Sequence, residues 1–171
     1  YFATFMAKPY DHLPGNGLHL HLSLWDNNNN EISCSDNDDF PLSKLGSYFV
    51  AGLLKNAHSL TATGCASVNS YKRILPGSWS PAHICWGSEN RSTLIRIPGK
   101  LNRKHIELRQ GDNMNNPYIY VSTVLASGLE GIKNKINLEN PVLDDAGQFS
   151  DINETDNLKI LPRTFNESLL Y

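Results

Sequence analysis

Cysteine is scarce in this 171-residue chain: Cys34, Cys65 and Cys85 are the only three, widely separated and odd in number. They form no Cys-x-x-Cys pair, which argues against a zinc ribbon and against a disulfide framework. A reducing, cytoplasmic setting is therefore expected. Long apolar runs are missing too. None reaches the roughly 18 residues of a membrane span, and no signal peptide is visible, so no membrane partner is expected. Neither sign of charge is in excess: 15 basic and 17 acidic residues leave a net charge of -2, with no general pull toward nucleic acid. No internal repeat and no second domain are visible. There is no initiator methionine; the chain opens at Tyr1 in an apolar run. It stops at Tyr171, soon after Thr164-Phe-Asn-Glu167, a capping pattern that should open a helix. The expectation is a piece of a longer polypeptide.

What is present is organised around residues 15–25, Gly-Asn-Gly-Leu-His-Leu-His-Leu-Ser-Leu-Trp. Read as a strand, it puts Leu18, Leu20, Leu22 and Leu24 on one face and His19, His21 and Ser23 on the other. The leucine face belongs against a core. The opposite face either looks at water or presents imidazoles to a metal or a phosphate. Gly15 and Gly17 precede the strand, where the backbone can turn or approach a ligand closely.

Elsewhere the elements are read as follows. Residues 2–8 read as a short strand, and 26–39, with four consecutive asparagines, as a surface loop. A helix is expected over 43–60, capped by Ser43, with Leu45, Phe49, Leu53 and Ala57 on its apolar stripe. Pro76-Gly77 marks a turn in the aperiodic stretch 66–81. Residues 82–87 and 93–97 read as two strands, and His105 to Arg109 as a third. In the third, Ile106 and Leu108 oppose His105, Glu107 and Arg109. Asn116-Pro117 starts a helix whose stripe is Val121, Val124, Leu125, Leu129, Ile132 and Ile136. Residues 138–163 read as a polar surface segment.

Four segments thus present charged or ligand-type groups: His19 and His21; Lys72 and Arg73; Arg91 and Arg96; Glu107 and Arg109. Strand ends and loops are where sheets build sites. Arginine forks recognise carboxylates and phosphates, although a lone Glu107 among arginines is more commonly an ordinary ion pair.

These stretches resemble the glutamine synthetase family, in order, over residues 2–136. The matching blocks are Ala3 to Pro9, Gly15 to Leu24, Asn69-Ser-Tyr-Lys-Arg73 with Pro76-Gly77, and Asn90-Arg-Ser92 through Pro98. Ile106-Glu-Leu-Arg109 and Asn116-Pro-Tyr118 through Lys135 complete the set. The resemblance implies that residues 1–171 are part of the family's C-terminal catalytic domain, lacking the N-terminal domain and the start of the catalytic one. The implied class is α+β: a curved antiparallel β-sheet with helices packed on its outer face. The implied reaction is ATP-dependent ligation of glutamate to ammonia or a primary amine through a γ-glutamyl phosphate. Magnesium or manganese is the implied cofactor, ATP the co-substrate, and a homo-oligomer the implied assembly. By position, His19 and Glu107 match ligands of one metal ion. His21 and Ser23 match nucleotide contacts, and Gly15, Arg73 and Arg109 match glutamate contacts. Arg91 and Arg96 match arginines on the transferring phosphate and nucleotide, Arg91 in a catalytic role.

The chain also departs from the family pattern. Ser78-Trp79-Ser80 stands where ammonia-using members place a glutamate beyond the glycine. Trp79 cannot accept a proton, but its ring can bind a cation or cover an alkyl group. Similar loops in relatives point to the γ-glutamyl–amine ligase branch, with Trp79 as a catalytic-site residue; the alternative is a ring packed into the sheet. Pro14, Asn102 and His105 replace family residues near glutamate and nucleotide, with Arg103 and Lys104 placed to compensate. The metal glutamates of upstream strands are not in this chain, so the isolated piece is expected to be inactive. The competing reading is a non-catalytic relative with a structural or regulatory role.

Overall fold

The computed structural model describes residues 1, 3–35, 40–99, 104–148 and 158–170. Four strands form one sheet in the order β1-β4-β3-β2: β1 is Leu18–Leu22, β2 Trp86–Ser88, β3 Ile95–Ile97 and β4 Ile106–Gly111. Helices α1 (Lys44–Lys55), α2 (Ala57–Gly64) and α4 (Pro117–Asn134) cover one face, with short helices α3 (Val68–Tyr71) and α5 (Phe165–Ser168) beside them. The α+β class expected from the sequence is what the chain adopts. No helix among the described residues is long and apolar enough to cross a membrane.

The core lies between sheet and helices. Ile95, Ile97, Ile106 and Leu108 from the strands meet Phe49, Leu53, Leu60, Tyr120 and Val124 from the helices. The β1 leucines pack against this core half-buried, and His19, His21 and Ser23 face away. The alternation read in the sequence therefore holds, and it turns the polar face of the sheet toward the site.

Other expectations change. Residues 3–6 form no strand; they are exposed, and the Asn16 amide pins them through the Phe5 and Met6 carbonyls. Their apolar character gives no period-two partner face. Phe2 lies outside the described residues. Residues 43–60 make two helices, not one. Ser43 caps α1 by accepting from the Gly46 N–H. Asn56 breaks the run, its side chain donating to the Gly52 carbonyl and to Glu130. The β1–β4 and β4–β3 pairs are antiparallel as expected, whereas β2 and β3 run parallel. Glu89, at a left-handed φ of 54°, redirects the chain straight after β2.

Helix α4 starts at the expected Asn116-Pro117 cap, but its buried face is Tyr120, Val124, Gly128 and Gly131. Leu125 and Leu129 are exposed. Glycine sets this rotation: a Cβ on Gly131 would lie 2.1 Å from the Tyr48 carbonyl oxygen, so α1 and α4 meet backbone to backbone, and side chains ride on the flanks.

Residues 138–148 are more than a surface segment. Val142 donates its N–H to the Trp86 carbonyl, and the Asn90 amide holds the Val142 and Asp144 carbonyls. Ala146 is fully buried, and its N–H donates to Ser92 Oγ at 2.8 Å. The stretch straps the Asn90–Ser92 loop to the sheet.

Candidate active site

One concave face collects most of the charged groups. β1 supplies His19, the Asn90–Ser92 loop Arg91, β3 Arg96, and β4 both Glu107 and Arg109; with Trp79, Ser80 and Asp145 they line a cavity of about 860 Å³. Glu107 is the hub. Its Oε1 lies 3.0 Å from His19 Nδ1 and 3.2 Å from Arg109 Nη1, and its Oε2 lies 3.2 Å from Arg96 Nη1.

A bulge makes this geometry. Leu20 pairs with Leu108, but Leu18 pairs with Gly111, so Arg109 and Gln110 together oppose His19. Such an irregularity re-aims side chains locally. It lets His19 reach Glu107, although His21 is the residue paired with Glu107 across the strands.

The electrostatics follow from crowding. Burial alone would raise the Glu107 carboxyl, but Arg109, His19 and Arg96 outweigh it and hold the group below the ordinary glutamate range. His19 is pushed below the ordinary imidazole range, first by burial and then by Arg109. A carboxylate and an imidazole, each held below its ordinary range, thus stand side by side, and they are donor types that a divalent cation takes.

A second cavity, of about 380 Å³, adjoins the first and is lined by Gly15, Arg73, His19, Trp79 and Arg109 among others. Arg73 is buried and held in place: Nη1 donates to Ser80 Oγ and Nη2 to the Gly111 carbonyl, both at 2.8 Å, and Nη2 also to the Gln110 carbonyl. Gly15 is required sterically, since a Cβ there would fall 2.1 Å from the Ala7 carbonyl oxygen. Trp79 borders both cavities and is 87% exposed, so it does not pack into the sheet.

His21 borders the hub, its Nε2 4.0 Å from Glu107 Oε1, but neither it nor Ser23 lines the two arginine cavities. They line a separate hollow of about 470 Å³ with Trp25, Glu31, Lys104 and His105. His21 Nδ1 is 2.7 Å from His105 Nε2, and Ser23 Oγ accepts from Trp25 Nε1. Lys104 donates to the Ser35 carbonyl; Asn102 and Arg103 lie outside the described residues. Pro14 lines the smaller cavity.

Sequence reasoning missed Glu89, Ser80 and Asp145. Ser80 and Asp145 come to the site through loops of no period. Glu89 adjoins the Asn90-Arg-Ser motif, and that adjacency was the one available signal.

The family model described as "Glutamine synthetase, catalytic domain" matches residues 1–170. The chain is 39% identical over 175 residues to the glutamate–methylamine ligase of Methyloversatilis universalis, covering 98% of this chain and 39% of that protein. It is 41% identical over 172 residues to the glutamine synthetase of Thermococcus kodakarensis, covering 99% of this chain and 38% of that one. Among solved structures, "GmaS/ADP complex-Conformation 1" superposes with a TM-score of 0.84 at 34% identity, covering 97% of this chain and 38% of that one. The chain therefore spans under two fifths of the length of these relatives. With the match running from the first residue to the last but one, the chain belongs to the glutamine synthetase family, within its catalytic domain.

Proposed function

We propose that the protein carrying this chain joins glutamate to an amine at the expense of ATP, through a γ-glutamyl phosphate. The observation that carries the reading is Glu107 meeting His19, Arg96 and Arg109 at the floor of an arginine-lined cavity.

His19 and Glu107 lie side by side, Nδ1 to Oε1 3.0 Å, and would together hold a magnesium or manganese ion. Among the described residues no group of three or more His, Cys, Asp or Glu is gathered to hold a metal ion, so substrate phosphates, water and other protein groups would complete the shell. When bound, the ion would neutralise phosphate charge.

The chain's own residues supply the remainder. Arg91 and Arg96 border the cavity where a transferring phosphoryl group would sit, and their guanidinium groups stabilise charge spread over its oxygens. Gly15, Arg73 and Arg109 border the smaller cavity, which suits a substrate with two carboxylates. Arg73 is held by Ser80 and two carbonyls, so it contributes a fixed positive charge there more than a mobile fork. His21 and Ser23, in their own hollow, fit a more distant part of the nucleotide. The reading carries with it a cytoplasmic homo-oligomer.

Trp79 directs the choice of amine. It stands at the mouth of both cavities with an open ring face and no proton-accepting group. Such a face attracts an alkylammonium ion and covers its alkyl part. A primary amine is therefore the favoured acceptor. Turnover of the full-length protein with ATP, magnesium and glutamate, comparing ammonium with a panel of primary amines, tests this. A clear preference for ammonium overturns the acceptor assignment, and no amide product with any acceptor overturns the ligase reading.

A further inference from the structure

Arg96 and Glu107 sit directly opposite each other on β3 and β4, where a guanidinium fork normally closes on both oxygens of a carboxylate. Here the fork is split. Nη1 lies 3.2 Å from Glu107 Oε2, while Nη2 lies 2.5 Å from Glu89 Oε2. Glu89 is the residue immediately after β2. Its φ of 54° is one that few non-glycine residues adopt, and such strain gathers where geometry serves function. Its Oε1 accepts the Gly99 N–H at 2.8 Å, and its own N–H donates to the Ile97 carbonyl at 3.1 Å. The carboxylate is thus anchored at both oxygens.

We propose that Glu89 is a positioning residue that holds the outer nitrogen of Arg96 at the cavity rim, so that Glu107 escapes a full guanidinium clamp and stays available to a divalent cation. The inference rests on the cation site proposed above. Glu107 already faces Arg109; a second complete fork would neutralise it and repel a dication. With Glu89 in place, two carboxylates offset Arg91, Arg96 and Arg109 instead of one. Glu89 does this from the exposed side of Arg96, without itself lining the cavity.

Removing the Glu89 charge should move two ligands in opposite directions. Cations lose an available carboxylate, whereas anions meet a more positive cavity. A loss of mere structural support would weaken both. The test uses the full-length protein, with Mn2+ alone titrated by electron paramagnetic resonance and inorganic phosphate alone by calorimetry. Glu89→Gln keeps an oxygen for the Gly99 N–H. It is expected to weaken Mn2+ binding by roughly fivefold and to tighten phosphate binding by a similar factor. Glu89→Asn is equally neutral and tolerates left-handed backbone, so it carries the same expectation if the glutamine variant does not fold. Glu89→Asp, which keeps the charge, should retain most of the wild-type affinity for both. Weakening of both ligands, or unchanged Mn2+ affinity in a neutral variant, overturns the role of Glu89 and leaves the cation site standing. A wild-type protein that binds no Mn2+ overturns the cation site, and this inference with it.

Discussion

His19 and Glu107 lie 3.0 Å apart although they are not cross-strand partners. Their meeting depends on the extra residue that β4 places opposite His19. Two guanidinium groups and two imidazoles converge on a single buried carboxylate, so that carboxylate should be the most costly to remove. Glu107→Gln is expected to destabilise the fold by about 3 kcal/mol, because Arg109 would keep buried charge without its counterion and Arg96 would keep only Glu89. Urea denaturation measures this. The same variant should lose Mn2+ binding; a stable variant with intact Mn2+ affinity would remove Glu107 from the centre of the site.

Among the described residues no group of three or more His, Cys, Asp or Glu is gathered to hold a cation. Residues 1–171 expressed alone are therefore expected to form no amide from ATP, glutamate and any amine. Product detection by mass spectrometry at high enzyme concentration checks this, and measurable ATP-dependent product would contradict it.

The seam between α1 and α4 gives a prediction that runs against hydrophobicity. Gly131→Ala adds a methyl where the Tyr48 carbonyl oxygen is already too close. It should cost about 2 kcal/mol through overpacking. Leu129→Ala deletes a large apolar side chain that is 60% exposed, and should stay within about 0.5 kcal/mol of the wild type. Thermal or chemical denaturation of the two variants should give that order.

The same seam marks the boundary of what the sequence discloses. Strict alternation at Leu18 to Leu24 and at Ile106 to Arg109 made the faces of β1 and β4 legible, because a period of two leaves no choice of face. Ser43 and Asn116-Pro117 announced their helices through cap chemistry that is purely local. The stripe on α4 misled because leucines mark hydrophobicity, while the closest packing uses glycines. Asn56 interrupts a run whose i, i+4 spacing continues unbroken, since the break is made by hydrogen bonds to Gly52 and to Glu130 across the helix interface. The bulge at Arg109 and Gln110 has no local signature. The strap over Asn90–Ser92 depends on contacts some 50 residues away in sequence. For the site, the resemblance picked out His19, Trp79, Arg91, Arg96, Glu107 and Arg109, which the fold gathers around one cavity. It could not place Ser23 outside that cavity, or His21 at its border with Nε2 4.0 Å from Glu107 Oε1, because alternation gives a face and not a distance along it.

The thiols report on the fold through pH. Burial pushes the Cys65 thiol up to about 12 and the Cys85 thiol up to about 11, from an ordinary value of 9.0. An unfolded chain releases these protons as pH rises past 9, while the folded chain keeps them. Stability is therefore expected to fall as pH rises from 9 toward 11–12, and to be indifferent to these groups below 9. Iodoacetamide at pH 8 should leave Cys65 and Cys85 unmodified in the native protein and label both after denaturation. Rapid native labelling of either would show a looser core than the one described.

Trp79 offers the sharpest separation of binding from folding. It is 87% exposed at the mouth of both cavities, so Trp79→Ala removes almost no buried surface and should change stability by less than about 0.5 kcal/mol. If its ring face holds the acceptor, loss of the ring removes a cation–π contact worth about 0.5–1 kcal/mol at an exposed site. That corresponds to a fall of roughly two- to fivefold in kcat/KM for a primary amine. Ammonium, with no alkyl group to cover, should lose less, so the ratio between the two acceptors should narrow. Trp79→Glu places a proton acceptor at the same mouth, and should shift preference further toward ammonium because its carboxylate can take the proton that the indole cannot. Steady-state kinetics with both acceptors, at saturating ATP and glutamate, distinguish the cases. An unchanged acceptor ratio in both variants would mean that the amine is chosen elsewhere in the protein.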